Sequence, residues 1–153
     1  MNDTAFKISD AMRTRLVGMH ARGPDGSLAP IPFELQQRPE VLIGGGGLYG
    51  TALDFLAFTQ TILNRGRGNG RQLLEPETVA LMGQNHIGDL YMTKIKTAAP
   101  PFSNDFAPYP DIPKKWGLSF MINTAKTPEG RSAGSLAWAG LPNCYYWIDR
   151  PVA

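Results

Sequence analysis

The feature that most constrains the fold is the stretch of residues 132–149, which is typical of two β-strands joined by a tight turn. Residues 138–141 are expected to lie at the bend of this pair. A third strand candidate, residues 116–123, precedes the pair, and residues 127–130 suit a hairpin turn between them. The chain is therefore predicted to end in an antiparallel meander.

The first half of the sequence predicts helices. Thr51 can accept an early backbone N–H and Asp54 can reach back, which together make a start that resembles a capping box. Apolar residues then recur at helical spacing as far as Leu63, and Gly66 suits the left-handed position past the last turn. Pro76 is well placed at the first position of a second helix that runs to about residue 82.

The remaining segments are predicted as short elements and loops. Ser9 or Asp10 can cap a short helix that runs to about residue 15, and residues 16–22 are predicted as a strand. We expect residues 28–40, which hold three prolines, to form a surface loop. Residues 83–114 are also rich in proline, which favours an irregular, flap-like loop over a cleft.

Composition places the chain among globular proteins. Its 153 residues suit a single domain, and 42% apolar with 18% charged residues argue against disorder. A net charge of +2 is too small to indicate a nucleic acid as partner, and no apolar run is long enough to span a bilayer. The lone cysteine excludes an internal disulfide and fits a reducing compartment, so a cytoplasmic location is expected.

Residues 45–50 match the dinucleotide-binding pattern G-x-G-x-x-G ahead of a helix. Such a site also needs an acidic residue about twenty positions further on to bind the ribose, and residues 70–71 are Gly-Arg instead. We therefore interpret the glycines as a tight backbone passage, and no cofactor is expected.

Candidate metal ligands and nucleophiles are few. His20, His86 and Cys144 have no ligand spacing to one another, so no metal site is expected. Cys144 alternates with Tyr145 on a predicted strand and is predicted to be buried packing. The sequence contains no S-x-x-K pattern, the helical spacing that places a lysine amine beside a serine nucleophile.

The bend after residue 138 has both a structural and a chemical interpretation. A tryptophan on a sheet is most often a half-buried cover, which is the simpler reading of Trp138 alone. An edge strand followed by a turn of small residues can also aim backbone N–H groups into a cleft, where they hold the oxyanion of an acyl-transfer reaction. In that reading Trp138 lines a pocket and the N–H of Leu141 points into it.

Three segments carry a family resemblance. Residues 1–6 are similar to the pattern Leu-Gly-Met-x-Asp-Thr-x-Phe without its first residues, and residues 46–58 to Gly-Gly-Leu-x-Ser/Thr-Thr-Ala-x-Asp-x-x-x-Phe, which residues 73–78 continue as Leu-Leu-x-Pro-Glu-Thr. Residues 138–149 are similar to Trp-Gly-Gly followed by Asn-x-x-x-Trp-Ile-Asp, with Ala139 in place of the usual second residue. In this order and spacing they resemble the serine β-lactamase and penicillin-binding-protein-like superfamily, closest to the family VIII carboxylesterases.

The resemblance implies a fold and a set of site residues. The fold would be α+β: a partial β-lactamase-like domain over residues 1–153, with a C-terminal antiparallel meander and helices from the first half, incomplete at both ends. Its Ser-x-x-Lys and Tyr-x-Asn/Ser motifs would precede residue 1. Trp138, Ala139, Gly140 and Asn143 would bind substrate, and the backbone N–H of Leu141 would be an oxyanion-hole donor.

The implied function is that of the C-terminal part of a carboxylesterase-like serine hydrolase. The full-length parent would act on a small ester, and this chain alone would be inactive because it lacks the nucleophile and base. The alternative is a degenerate, non-catalytic relative that serves as a binding or interaction module. In either case no membrane span is expected, and self-association through exposed sheet edges is expected.

Overall fold

The computed structural model describes residues 1–150 of the chain. The fold is α+β with an antiparallel sheet in the C-terminal part, as the sequence predicts. The chain divides into two compact units, residues 1–58 and the residues from 59 onwards. Residues 151–153, which the predicted domain of residues 1–153 includes, lie outside the described residues.

Within residues 1–150 the backbone forms helices and short strands. The helices are α1 (Asp10–Arg13), α2 (Ala52–Leu63) and α3 (Pro76–Met82). The strands are β1 (Met19–Arg22), β2 (Leu28–Ile31), β3 (Arg67–Gly68), β4 (Arg71–Gln72), β5 (Lys114–Trp116), β6 (Met121–Asn123), β7 (Leu136–Gly140) and β8 (Cys144–Ile148). No helix of this part of the chain is long and apolar enough to cross a membrane.

The first unit contains the β1–β2 hairpin, which corrects one prediction. Residues 28–40 were expected to be loop, but Leu28–Ile31 pairs antiparallel with β1, and Pro30 lies opposite His20. The reversal depends on Gly26, whose φ of 83° is in the left-handed region. Pro30 is tolerated because a strand in a two-stranded hairpin has one edge that needs no hydrogen-bond donor.

The local helix signals are confirmed except for one half of the predicted capping box, because the Asp54 carboxylate accepts from Asp3 and Thr4 instead of reaching back to the start of α2. Ser9 caps α1 by accepting a hydrogen bond from the amide of Met12, and Thr51 accepts one from the amide of Asp54 at 3.2 Å. The chain leaves α2 through Gly66, which has φ of 88° and lies so close to Leu74 that an added Cβ would be 2.0 Å from its carbonyl oxygen. α3 begins at its predicted proline and ends at residue 82.

The second unit is built around a four-stranded antiparallel sheet with the order β5-β6-β7-β8. The predicted strand 116–123 is wrong as one element, because residues 117–120 form a turn that separates β5 from β6. The amide of Gly117 donates to the carbonyl of Phe120 at 2.8 Å, and Ser119 has φ of 72°. The sheet buries Phe120, Leu136 and Ile148 almost completely.

The proline-rich segment between α3 and β5 is irregular, as predicted. It contains no named helix or strand. Isolated bridges join Met92 to Lys114 and Ile95 to Phe106. These bridges place Phe106 beside the sheet, where it takes part in the site described next.

Candidate functional site: an aromatic wall at the end of β7

Trp138 lies in the middle of β7 rather than at the bend. It is opposite Tyr146 of β8, and Gly140 is opposite Cys144, so the chain reverses through residues 141–143. Asn143 has φ of 61°, a left-handed conformation that asparagine adopts more readily than most residues. This geometry corrects the predicted bend at 138–141 and gives Asn143 a structural reason for its place in the turn.

Four aromatic rings form a cluster around Trp138, which we call the aromatic wall: Phe106, Trp116, Trp138 and Tyr145. The ring of Trp138 meets Trp116 edge-on at 4.6 Å between centroids and Phe106 edge-on at 5.6 Å. Phe106 also stacks on Tyr145 at 6.4 Å. Each such pair contributes about 0.5–1.5 kcal/mol beyond the burial of area. The half-buried indole of Trp138 is thus held in a defined orientation.

The backbone of β7 has an open edge beside Trp138. The amide of Asn123 donates to the carbonyl of Ser135 at 3.1 Å, so the backbone groups of Ser135 face β6. Because these groups alternate along an antiparallel strand, those of Ala137 and Ala139 face the same side. The β6–β7 ladder ends at the pair of Met121 and Ala137. The backbone of Ala139 therefore faces a position that no strand of residues 1–150 occupies.

The other predicted site residues follow Ala139 along the same hairpin. Leu141, the first residue of the turn, is 77% exposed. At Gly140 an added Cβ would meet Pro142 and Cys144 only at 3.7 and 3.8 Å, which is ordinary van der Waals contact. No crowding therefore requires glycine there. The structure thus places Trp138, Ala139, Gly140, Leu141 and Asn143 in one hairpin, the first three in β7 and the last two in the turn.

Cys144 was predicted to be buried, and this is wrong. It is exposed, and its thiol lies 3.7 Å from the carbonyl of Pro142. The reason is that β8 is at the edge of the sheet, so a residue at its first position meets solvent. Within residues 1–150 no group of three or more His, Cys, Asp and Glu side chains could hold a metal ion.

Lys114 is a residue that the sequence analysis missed. It is 3% exposed, and its ammonium donates to the carbonyls of Tyr109 at 3.1 Å and Ile112 at 2.6 Å. Burial lowers the pKa of Lys114 below its ordinary value, because the charged form loses solvation. The sequence signal that could have found it is the Lys114-Lys115 pair. Adjacent residues of a strand point to opposite faces, so a strand here places the two lysines on different sides of the sheet.

Two of the segments that carry the family resemblance meet in the first unit. The carboxylate of Asp54 accepts hydrogen bonds from the Thr4 hydroxyl and the Asp3 amide, both at 2.8 Å. Ala5 and Tyr49 form an isolated antiparallel bridge beside them. Burial acts to raise the pKa of Asp54, but the hydrogen bonds from Thr4, Asp3 and Asn2 and the charge of the N-terminal amine together outweigh it, so the pKa lies below its ordinary value.

Comparisons with known proteins find only distant relatives, and no family model matches the sequence. The chain is 26% identical over 162 residues to Protein Rv1367c of Mycobacterium tuberculosis strain H37Rv, covering all of this chain and 37% of that protein. It is 25% identical over 141 residues to Acyltransferase calJ of Penicillium decumbens, covering 90% of this chain and 33% of that protein. The chain thus spans about a third of the length of these curated relatives.

Proposed function

We propose that this chain is the C-terminal part of a carboxylesterase-like serine hydrolase of the β-lactamase fold. In the parent enzyme it supplies one wall of the substrate pocket and one donor of the oxyanion hole. The observation that carries the proposal is the open edge of β7 beside Trp138, where the backbone of Ala139 faces a position that no strand of residues 1–150 occupies, next to the aromatic wall.

The open edge suits an acyl-transfer site for a physical reason. Leu141 is the first residue after β7 and follows Ala139 by two positions, and we propose that its N–H points to the same side as the backbone of Ala139. A backbone N–H aimed at a developing oxyanion stabilises the tetrahedral intermediate without any reorganisation during the reaction. The indole of Trp138, half-buried beside it, offers an apolar face to the acyl group of a substrate.

The residue at position 138 favours ester substrates. The resemblance aligns Trp138-Ala139-Gly140 with the Lys-Thr-Gly motif of the β-lactamases. Tryptophan in the lysine position removes a cation that would bind the carboxylate of a β-lactam. A neutral carboxylic ester needs no such cation, so the substitution fits an esterase better than a β-lactamase.

The acyltransferase relative supports acyl chemistry. A serine esterase transfers an acyl group from the enzyme to water, whereas an acyltransferase passes an acyl group to another acceptor. Both reactions proceed through an oxyanion that backbone donors stabilise. The nucleophile and its base are proposed to lie in the remaining two thirds of a longer parent, since the chain spans about a third of its relatives.

The pocket-wall proposal is tested by titrating ¹⁵N-labelled protein with p-nitrophenyl butyrate. We expect chemical-shift changes at the amides of Ala139 and Leu141 and at the indole N–H of Trp138. The Trp138→Ala variant should lose these amide changes. Trp147→Ala, which removes a 54% exposed tryptophan from the same hairpin, should retain them. Equal loss in both variants, or no change at these amides, would contradict the proposal.

Hydrolysis of the same ester tests where the reactive groups lie. We expect the chain alone to release p-nitrophenol at the rate of buffer, because the sequence contains neither a Ser-x-x-Lys nor a Tyr-x-Asn/Ser pattern. Hydrolysis that Trp138→Ala abolishes would show that the chain carries its own nucleophile. An adjoining coding sequence with Ser-x-x-Lys and Tyr-x-Asn/Ser favours the enzyme, and its absence favours the alternative of a non-catalytic binding module.

A further inference from the structure

A cavity of about 760 Å³ lies in the second unit, away from the aromatic wall, between the last residues of α2 and the side of α3. Leu63, Pro76 and Ala80 form its accessible apolar floor, and Ile62 and Val79, which are 0% and 2% exposed, lie beneath this surface. The volume falls within the range of about 300–1,000 Å³ that is typical of small-molecule sites. The cavity is large enough for an aliphatic chain.

The charged residues of the lining leave a positive excess. Arg65, Arg150 and Glu77 contribute to the cavity, so the formal charge is +1. None of the three forms an ion pair with another residue of the described range 1–150. A ligand with a single negative charge would balance this excess.

Arg150 is positioned by its packing against Gly83, the residue that follows α3. A Cβ added to Gly83 would lie 2.3 Å from Nη2 of Arg150 and 2.9 Å from its Cζ. The guanidinium therefore occupies space that any larger residue at position 83 would fill. Because no carboxylate of the described residues engages it, its planar set of N–H donors remains able to bind a carboxylate in a bidentate manner.

We propose that this cavity binds a medium-chain fatty carboxylate. Its aliphatic chain lies over Leu63, Pro76 and Ala80, and its carboxylate binds the guanidinium of Arg150, with Arg65 adding positive charge. The apolar floor favours a chain over a small inorganic anion, and the excess of one charge favours a monoanion. This site is separate from the open edge of β7 and does not depend on the proposed esterase function.

The proposal is tested by isothermal titration calorimetry with decanoate, decanol and acetate. Decanoate should bind, while decanol, which lacks the charge, and acetate, which lacks the chain, should bind at least about tenfold more weakly. Arg150→Gln should weaken decanoate binding by about tenfold, the effect of losing one charge-assisted hydrogen bond. Equal affinity for decanoate and decanol would overturn the role of the arginines, and no decanoate binding would overturn the site.

Gly83→Ala gives a second, independent variant. The backbone of Gly83 has a φ of −96°, which alanine can adopt without strain. The added methyl group should therefore displace the guanidinium of Arg150 without removing any charge. We expect it to weaken decanoate binding, whereas Gly18→Ala, where an added Cβ meets nothing within 4 Å, should not. Arg71→Gln, in the β3–β4 hairpin and outside the lining, is the matched control for charge. Thermal melts of each variant show whether it is folded, and unchanged decanoate affinity in folded Gly83→Ala would contradict the placement of Arg150.

Discussion

Lys114 is a charged side chain in a buried position. Its ammonium is buried with carbonyl oxygens of Tyr109 and Ile112 as partners and with the Tyr109 ring at 5.6 Å. Its strand partner Asn123 has a buried side-chain oxygen without a hydrogen-bond partner in the described residues. Burial of a charge without a carboxylate is costly, so the charged form of Lys114 weakens the folded state.

The lowered pKa of Lys114 predicts how stability depends on pH. Between this pKa and the ordinary value of 10.5, the unfolded chain binds more protons at this site than the folded chain. The contribution of Lys114 to the free energy of unfolding therefore rises with pH in that window. Urea titrations from about pH 7 to about pH 9.5 should show this rise in the parent protein and a smaller one in Lys114→Met.

The choice of pH window and one control variant isolate the contribution of Lys114 to the pH dependence of stability. Burial raises the pKa of Tyr146 above its ordinary value of 10.0, which gives a contribution of opposite sign at higher pH, so the window stops below that value. Lys126→Met removes an exposed lysine from the same unit and should keep the slope of the parent protein. Equal slopes for Lys114→Met and the parent would show that Lys114 is not the source.

Among the secondary-structure elements, α2 is fixed at its start rather than along its apolar side. Leu53 and Leu56 of the predicted apolar stripe are 78% and 49% exposed, while Thr59 and Ile62 are buried. The carboxylate of Asp54 instead links the first turn of the helix to the Asp3 amide and the Thr4 hydroxyl. This contact is electrostatic, so it should depend on the ionisation of Asp54.

The Asp54 contact predicts that Asp54→Asn lowers the stability of the protein at neutral pH but not in acid. Because the folded pKa is below 3.8, Asp54 stabilises the protein above that pH, and the contribution is lost as the pH falls through the folded value. Asp54→Asn should therefore melt at a lower temperature than the parent at pH 7, with a gap that closes in acid. Asp89→Asn, at an exposed acid, is the control, and an equal shift in both variants would contradict the prediction.

The elements that the sequence predicted correctly carry their signals locally. α1 has its Ser9 cap, α3 has Pro76 at its first position, and Gly66 marks the exit from α2. The elements that it missed depend on how neighbouring strands pair. β2 exists because it pairs with β1 despite Pro30, and the break between β5 and β6 is set by how those strands pair.

The candidate site was predictable in composition but not in detail. The hairpin that holds Trp138 to Leu141 follows from strand propensity and a turn, both of which are local. Whether Cys144 is buried and whether Lys114 points inward depend on the position of each strand in the sheet. Strand order is a property of the assembled chain, so alternation within one strand could not give it.

Across the whole molecule, the outer edge of β8 is the surface most exposed to pairing. No strand of residues 1–150 lies beside it, and Cys144–Ile148 contains neither a charged residue nor a proline. Tyr145 and Trp147 are 61% and 54% exposed on this strand. Natural edge strands usually carry charges or prolines that prevent such pairing.

We therefore expect the protein to self-associate through β8. A charge at the edge should oppose this pairing, so Cys144→Lys should shift sedimentation-velocity profiles in reducing buffer toward the monomer. Cys144→Ser, which removes the thiol without adding a charge, should associate like the parent. A parent protein that sediments as a clean monomer at high concentration would contradict the expectation.

The close approach of Gly117 to α3 closes the proline-rich segment into a loop. Leu118 donates to the Met82 carbonyl at 3.0 Å, His86 donates to the Trp116 carbonyl at 2.8 Å, and an added Cβ at Gly117 would lie 2.2 Å from the Met82 oxygen. Backbone hydrogen bonds thus join the two ends of the segment to each other. A protease that nicks residues 96–104 should leave two fragments that remain bound and separate only in denaturant.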